Sequence, residues 1–340
     1  MVRESFPIGS FRVRAGASRE VELPITRLVT GADVALPVRV VHGKFDGPRM
    51  WVVAATHGDE VVGVEVIRRV LATLNARTLR GTLVAVPIVN VLGFMAGDRY
   101  LPDRRDLNRC FPGSARGSLG SRLAHLLMSQ VVEPCEVGID LHTGAYARTN
   151  LPQIRADLDD ERTRALAQAF GAPVMLHARL RDGSLRQAAR ERGSTVLLYE
   201  GGEAWRFDEW AIEAGVAGVR RVMAALGMIE ESAAEPMASP PVESRASGWV
   251  RARHTGIVHL DVALGAAVAE GDRLGSLSDS FGRRVHLVRA DRDGIVIGQS
   301  NAPLVNRGDA LVHIASLAGV DRALPAEPPD QPDADDLLTH

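Results

Sequence analysis

Apolar positions along the chain change rhythm several times. Residues 1–46 carry short alternating runs, "FRVRAG" and "LPVRVVHG", broken by Gly, Pro and Asp, and these predict edge strands or hairpins joining a main domain. Over residues 47–229 the apolar runs become nearly continuous. "MWVVAAT" is followed by a helical face of Val61, Val64, Ile67, Val70, Leu71 and Leu74, and then by "TLVAVPIV", "EVGIDL", "PVMLH" and "TVLLYE". Continuous apolar strands separated by amphipathic helices predict an α/β sheet with helices on both faces.

Residues 230–247, "EESAAEPMASPPVESRAS", are small, acidic and Pro-rich with no apolar period, which predicts an interdomain linker. Beyond it lies an internal repeat. Gly256-Ile257-Val258 precedes Gly271-Asp272-Arg273-Leu274 by 15 residues, and Gly294-Ile295-Val296 precedes Gly308-Asp309-Ala310-Leu311 by 14. Two such copies predict two quasi-symmetric β halves packed together, since neither half could bury its apolar face alone. Residues 248–316 resemble the all-β barrel-sandwich (lipoyl-like) fold of carrier domains. The exposed turn "SDSFGRRV" has no lysine, which excludes a carrier role. Residues 317–340 end in the Pro- and Asp-rich "PAEPPDQPDADDLLTH", a composition that predicts disorder.

Composition narrows the chemistry. A chain of 340 residues with 46% hydrophobic content is long enough to bury a full core and to form one large domain with a smaller one. Its net charge of -2 gives no electrostatic reason to bind nucleic acid or a membrane surface. No apolar run approaches the roughly 18 residues of a spanning helix, and "MVRESFPIGS" has no signal-peptide core, so a cytoplasmic location is expected. Cys110 and Cys135 lack CxxC spacing, which leaves neither a disulfide framework nor a thiolate metal site. Lys44 is the only lysine among 40 basic residues and sits in a turn, which removes Schiff-base and pyridoxal-phosphate chemistry.

The candidate chemistry lies where apolar strands stop. "AATHGDE" ends a strand in His57 and places Glu60 three residues on, at the start of a helix, with Gly58 allowing the turn between them. His-x-x-Glu alone is a common pattern, and a helix start also attracts acids for its dipole. "EVGIDLHTG" repeats the arrangement with His142. In α/β sheets ligands bind outside the carboxyl ends of strands, so His57, Glu60 and His142 can meet there as a His2Glu metal site, the usual protein ligands of a catalytic zinc. "TVLLYE" ends in Glu200 before two glycines, a costly place for a carboxylate unless a site uses it, for instance as general base. "GDRYLPDRRDLNRCFPG" offers Arg99, Asn108 and Arg109, and guanidinium forks hold carboxylates or a developing oxyanion.

In order and approximate spacing, His57-Gly-Asp-Glu60, Arg99, Asp106-Leu-Asn-Arg109, Asp140-Leu-His142 and Glu200-Gly resemble the succinylglutamate desuccinylase/aspartoacylase family, a branch of the zinc carboxypeptidase-like enzymes. The resemblance implies a zinc-carboxypeptidase-like mixed sheet and one Zn2+ per chain on His57, Glu60 and His142. It also implies Glu200 as catalytic base, Arg99 facing the scissile carbonyl, and Asn108 and Arg109 holding the substrate carboxylate. "DLNRCFPG" looks like the bacterial subgroup that includes N-acetyl-diaminobutyrate deacetylases. Arginines that select an acidic side chain in other branches have Arg186 and Arg190 as candidates, and the tyrosine of the peptidase relatives has no assigned counterpart.

The expected activity is zinc-dependent hydrolysis of the amide bond of an N-acyl amino acid or related small carboxylate. Two alternatives remain, a zinc carboxypeptidase acting on short peptides and a zinc- or ligand-binding protein without turnover. The β domain is expected to shape the cleft entrance or a homo-oligomer contact, without a part in the chemistry.

Overall fold

The computed structural model of the chain describes residues 3–237 and 239–317, so the tail expected beyond Leu317 lies outside the described residues. A large mixed sheet, 13-stranded among the described residues, organises the molecule. Four parallel strands form its centre in the order Arg80–Val86, Phe45–Ala54, Val137–Gly144, Thr195–Glu203. Asp33–His42 and Ala17–Arg27 extend one side antiparallel, and Arg148–Ala156 pairs antiparallel on the other.

Alternation along the strands divides the side chains between two cores. Ile139, Leu141, Leu197 and Tyr199 are fully buried under Val62–Thr73, Glu161–Phe170 and Glu209–Ala225. On the opposite face Trp51, Val53, Val84 and Val86 pack with Leu119–Leu127, Leu185–Glu191 and the short hairpin Phe6–Ile8 and Phe11–Val13. Asp140, His142 and Glu200 fall between the Ile139, Leu141 and Tyr199 positions, so the period of two sends them to this second face. The mixed α/β sheet with helices on both faces therefore delivers Asp140, His142 and Glu200 to the same side.

Two strand ends differ from the sequence expectation. His142 and Glu200 lie inside their strands, which run on to Gly144 and Glu203 because Glu203 pairs with Gly144 after a bulge. Gly58 is required by a close approach, since a Cβ there would lie 2.2 Å from the Gly93 carbonyl carbon. The left-handed residue of that turn is Ala55, with φ 50°.

Beyond Arg148–Ala156 the sheet continues without a break into Gly294–Ser300, Ala310–Ser316 and Ser247–Arg251. The segment before them joins as well, since Val242–Ser244 pairs in parallel with Val174–His177. A separate four-stranded sheet holds Gly256–Leu260, Arg273–Ser278, His286–Arg289 and Leu304–Val305. The internal repeat builds one turn twice. Gly271 and Gly308 take φ 94° and 102°, Asp272 Oδ2 accepts from Ala269 N at 2.8 Å, and Asp309 Oδ2 accepts from Asn306 N at 2.7 Å. Val258, Leu274, Val296 and Leu311, drawn from both copies, share one core. No helix among the described residues is long and apolar enough to cross a membrane.

Gly138 lies directly against Trp51, which is wholly buried, and a Cβ at that position would fall 1.8 Å from the indole. Gly138→Ala should destabilise the protein by about 1–3 kcal/mol through overpacking, read as a lowered midpoint in urea denaturation. An unchanged midpoint would mean that the two central strands separate more easily than this packing implies.

Candidate active site

The site begins with a turn that the main chain holds from several sides. Phe45–Ala54 ends at Ala55, whose carbonyl accepts from Asn90 N at 2.8 Å, and Gly58 N donates to Arg99 O at 3.2 Å. Asn90, fully buried, caps Val91–Ala96 through Gly93 N and donates Nδ2 to the same Arg99 carbonyl at 3.2 Å. These bonds set His57 and Glu60 from one segment against Arg99 from another.

Polar groups converge on the Glu60 carboxylate, which is 2% exposed. His57 Nδ1 lies 2.7 Å from Oε1 and His142 Nδ1 lies 2.7 Å from Oε2. Arg99 NH1 donates to Oε1 at 2.9 Å, and Thr143 N donates to Oε2 at 3.3 Å. One ligand atom from each of His57, Glu60 and His142 falls within 4.8 Å of the others. Each imidazole is also backed by an acid on its far nitrogen. His57 Nε2 lies 3.2 Å from Asp106 Oδ1, and His142 Nε2 lies 2.8 Å from Asp140 Oδ2, an ion-pair contact whose angle falls short of a hydrogen bond.

Two imidazoles with Nδ1 directed at a shared carboxylate and Nε2 backed by acids are the donor set and outer support of a His2Glu zinc centre. The residues present therefore fit a divalent metal. Burial alone would lower the His142 pKa, but Asp140 and Glu60 outweigh it and hold the imidazole well above its ordinary value. Burial would raise Glu60, and the two histidines reverse this and hold it well below the carboxylate range. A cation delivered among these groups meets an anionic carboxylate already in place.

Glu200 lies beside this set. Its Cα pairs in register with His142 on the adjacent parallel strand, and its side chain shares that face. Oε2 accepts from Asn150 Nδ2 at 2.9 Å, and Oε1 lies 3.9 Å from Arg155 Nε. Glu203 is structural by contrast, since its carboxylate accepts from Ala147 N, Thr149 Oγ1 and Asn301 Nδ2.

The loop carrying Asn108 and Arg109 is a 3-10 turn, Leu107–Arg109, capped by Asp106 through Asn108 N at 2.7 Å. Asn108 is buried and its Oδ1 accepts from Leu185 N at 2.9 Å, which fixes the loop to the start of Leu185–Glu191. The Arg109 side chain is 43% exposed, with NH1 donating to Asn108 O. Arg186 is buried and NH1 has no partner; burial, with Arg155 and Arg181 nearby, lowers its pKa to about 10. Arg190 is instead paired with Asp157 on the surface.

The family model for the succinylglutamate desuccinylase/aspartoacylase catalytic domain matches residues 46–226, the segment that supplies every residue of this constellation. The chain belongs to that family. It is 30% identical over 297 residues, 84% of this chain and 86% of the relative, to an N-alpha-acetyl-L-2,4-diaminobutyric acid deacetylase of Halomonas elongata. A crystal structure of a succinylglutamate desuccinylase/aspartoacylase from Rhodobacter sphaeroides superposes with TM-score 0.78 at 26% identity, covering 88% of this chain and 96% of that one. The product-bound ectoine utilization protein EutE of Ruegeria pomeroyi gives 0.77 at 25% identity, covering 88% and 95%.

Sequence reasoning did not assign roles to Asp106, Asp140 or Asn150. Asp140 carried a signal, since it stands two residues before His142 in a strand and must share its face. Asn150 carried none, because its contact with Glu200 depends on which strands pair. Among the described residues a second His/carboxylate group, Asp157, Asp159 and His177, does not make a comparable centre. Its acids are paired with Arg190 and Arg245, and His177 Nδ1 accepts from Leu158 N.

Asp140→Asn removes the charge behind His142 while keeping its shape. It should weaken divalent-metal binding by about ten- to a hundredfold, measured by competition with a chromophoric chelator. Affinity equal to wild type would remove Asp140 from the metal centre.

Proposed function

We propose that the protein is a zinc-dependent deacylase that hydrolyses the amide bond of an N-acyl amino acid or related small carboxylate. The observation that carries this reading is the convergence of His57 Nδ1 and His142 Nδ1 on Glu60, with Glu200 in register beside His142. His57, Glu60 and His142 would hold the zinc ion, with Asp106 and Asp140 fixing the orientation of the imidazoles. Zinc at such a site supplies Lewis-acid polarisation of the amide carbonyl and lowers the pKa of a bound water.

The chain's own residues carry the rest. Glu200 takes the proton of the attacking water on its carboxylate and returns it to the leaving nitrogen as the C–N bond breaks, so that the amine departs neutral and the base is regenerated. Arg99, whose NH1 already reaches Glu60 Oε1, places positive charge at the edge of the ligand set, where the carbonyl oxygen becomes an oxyanion. Arg109 offers its fork to the substrate carboxylate, on a loop held rigid by Asp106 and by the Asn108 bond to Leu185. Glu203 is committed to four structural donors, Arg206 among them, and does not compete with Glu200 for the proton. The relatives that act on small N-acyl compounds support an amino-acid substrate, and the doubled Gly-Asp turn supports a barrel-sandwich reading of residues 248–316.

Release of free amine from a panel of N-acyl amino acids, with and without chelator, tests the activity. Glu200→Gln should keep about one zinc per chain and lose two to four orders of magnitude in turnover, the usual general-base contribution. His57→Ala or His142→Ala should lose metal and activity together. Zinc at wild-type stoichiometry in both histidine variants would reject the ligand set, and no amine release from any panel member would reject the reaction.

Arg109→Lys keeps the charge and loses the fork. It should raise KM for substrates with a free carboxylate while leaving their carboxamide analogues unaffected. Equal wild-type efficiency on carboxylate and carboxamide substrates would remove that role from Arg109.

A further inference from the structure

Residues 248–317 supply none of the ligands proposed above and not the base, yet they contact four consecutive residues next to it, Ala147 to Asn150. Arg148 lies over the Trp249 ring at 5.6 Å. Thr149 Oγ1 accepts from Asn301 Nδ2 at 2.6 Å, and the same amide donates to Glu203 Oε2 at 2.7 Å. Asn301 N also donates to Ala147 O at 2.7 Å. Asn150 pairs across the sheet with Gly202 on one side and Gly298 on the other. A Cβ at Gly298 would stand 2.9 Å from Asn150 Oδ1, so glycine there lets the amide keep its place.

Asn150 is 7% exposed and donates Nδ2 to Glu200 Oε2 at 2.9 Å. Glu200 has a competing partner on its other side. Arg155 Nε is buried with no hydrogen-bond partner and lies 3.9 Å from Oε1, on the same face one row along the sheet. A carboxylate released from Asn150 would swing onto that guanidinium, because an unpaired buried N–H gains more from a charged acceptor than from any neutral neighbour.

We propose that Asn150 is a positioning residue that keeps Glu200 off Arg155, and that the carboxyl-terminal β strands hold Asn150 in place through Gly298 and Asn301. The inference rests on the reading of Glu200 as base. It makes residues 248–316 a working part of the active site, where the sequence had left them only the cleft entrance or an oligomer contact.

The test is a cycle of Asn150→Ala, Glu200→Gln and the double variant in the full-length zinc enzyme, with kcat, KM, zinc content and thermal midpoint measured for each. Asn150→Ala should lower kcat by about tenfold or more, the loss expected for a hydrogen bond to a charged group, with KM and zinc content little changed. In the Glu200→Gln background it should have no further effect on kcat. Gly298→Ala should lower kcat in the wild-type background and have no effect once Asn150 is alanine. If Asn150→Ala fails to fold, Asn150→Asp, equal in size but a like charge against Oε2, should show the kcat loss. Wild-type kcat in Asn150→Asp, or equal losses from Asn150→Ala in both backgrounds, would overturn the proposal. An active Glu200→Gln variant would instead reject the base itself, and the proposal with it. An inactive Glu200→Gln beside a fully active Asn150→Ala would reject the positioning role alone.

Discussion

The buried carboxylate of Glu60 is the constraint around which this molecule is arranged. A carboxylate out of water costs several kcal/mol unless it is paired and hydrogen-bonded. Here two imidazoles, a guanidinium and a backbone amide answer for its two oxygens. The partners come from three stretches of chain, since the amide of Thr143 follows His142 directly. His57 lies one turn before it, His142 on the neighbouring parallel strand, and Arg99 on a loop fixed by Asn90 and Gly58. Removing any one of them leaves charge unbalanced inside the sheet, so folding and assembly of the site are coupled.

That coupling extends outward through acids. Asp106 and Asp140 stand behind the histidines, and Asp106 also caps the turn that presents Asn108 and Arg109. The candidate metal centre and the candidate carboxylate-binding loop therefore share a residue. Geometry set at one is transmitted to the other by a single side chain. The neighbouring Arg155 and Arg186, each with one buried guanidinium nitrogen that makes no hydrogen bond, give the same face a positive character beyond the ligand set.

Sheet continuity changes how the carboxyl-terminal β region is understood. A domain tethered by a linker would meet the catalytic part through a surface contact, and its motion would be largely its own. Here Gly294–Ser300 is the next strand of the main sheet after Arg148–Ala156, and Val242–Ser244 pairs with Val174–His177. Hydrogen-bonded strands transmit position with little slack. Asn301 and Gly298 can thus act on Asn150 although about 150 residues of chain separate them, a distance in sequence that means nothing across a ladder.

Much of the design was legible in the chain itself. Continuous apolar runs separated by amphipathic helices determine the α/β architecture, because strands buried on both faces have no alternative to helical cover. The order His57, Glu60, Arg99, Asn108, Arg109, His142, Glu200 marks the family, since polar residues this close to apolar strands have no packing role to explain them. The doubled Gly-Asp sequence specifies a doubled turn, because a left-handed glycine followed by a self-capping acid is a local property. What only the tertiary structure decided is pairing. Nothing local makes Arg148–Ala156 choose Thr195–Glu203 on one edge and Gly294–Ser300 on the other, and that choice alone brings Asn150 to Glu200. The need for Gly58 and Gly138 was hidden for the same reason: each makes room for a distant backbone or ring, and the neighbour exists only once the chain has folded.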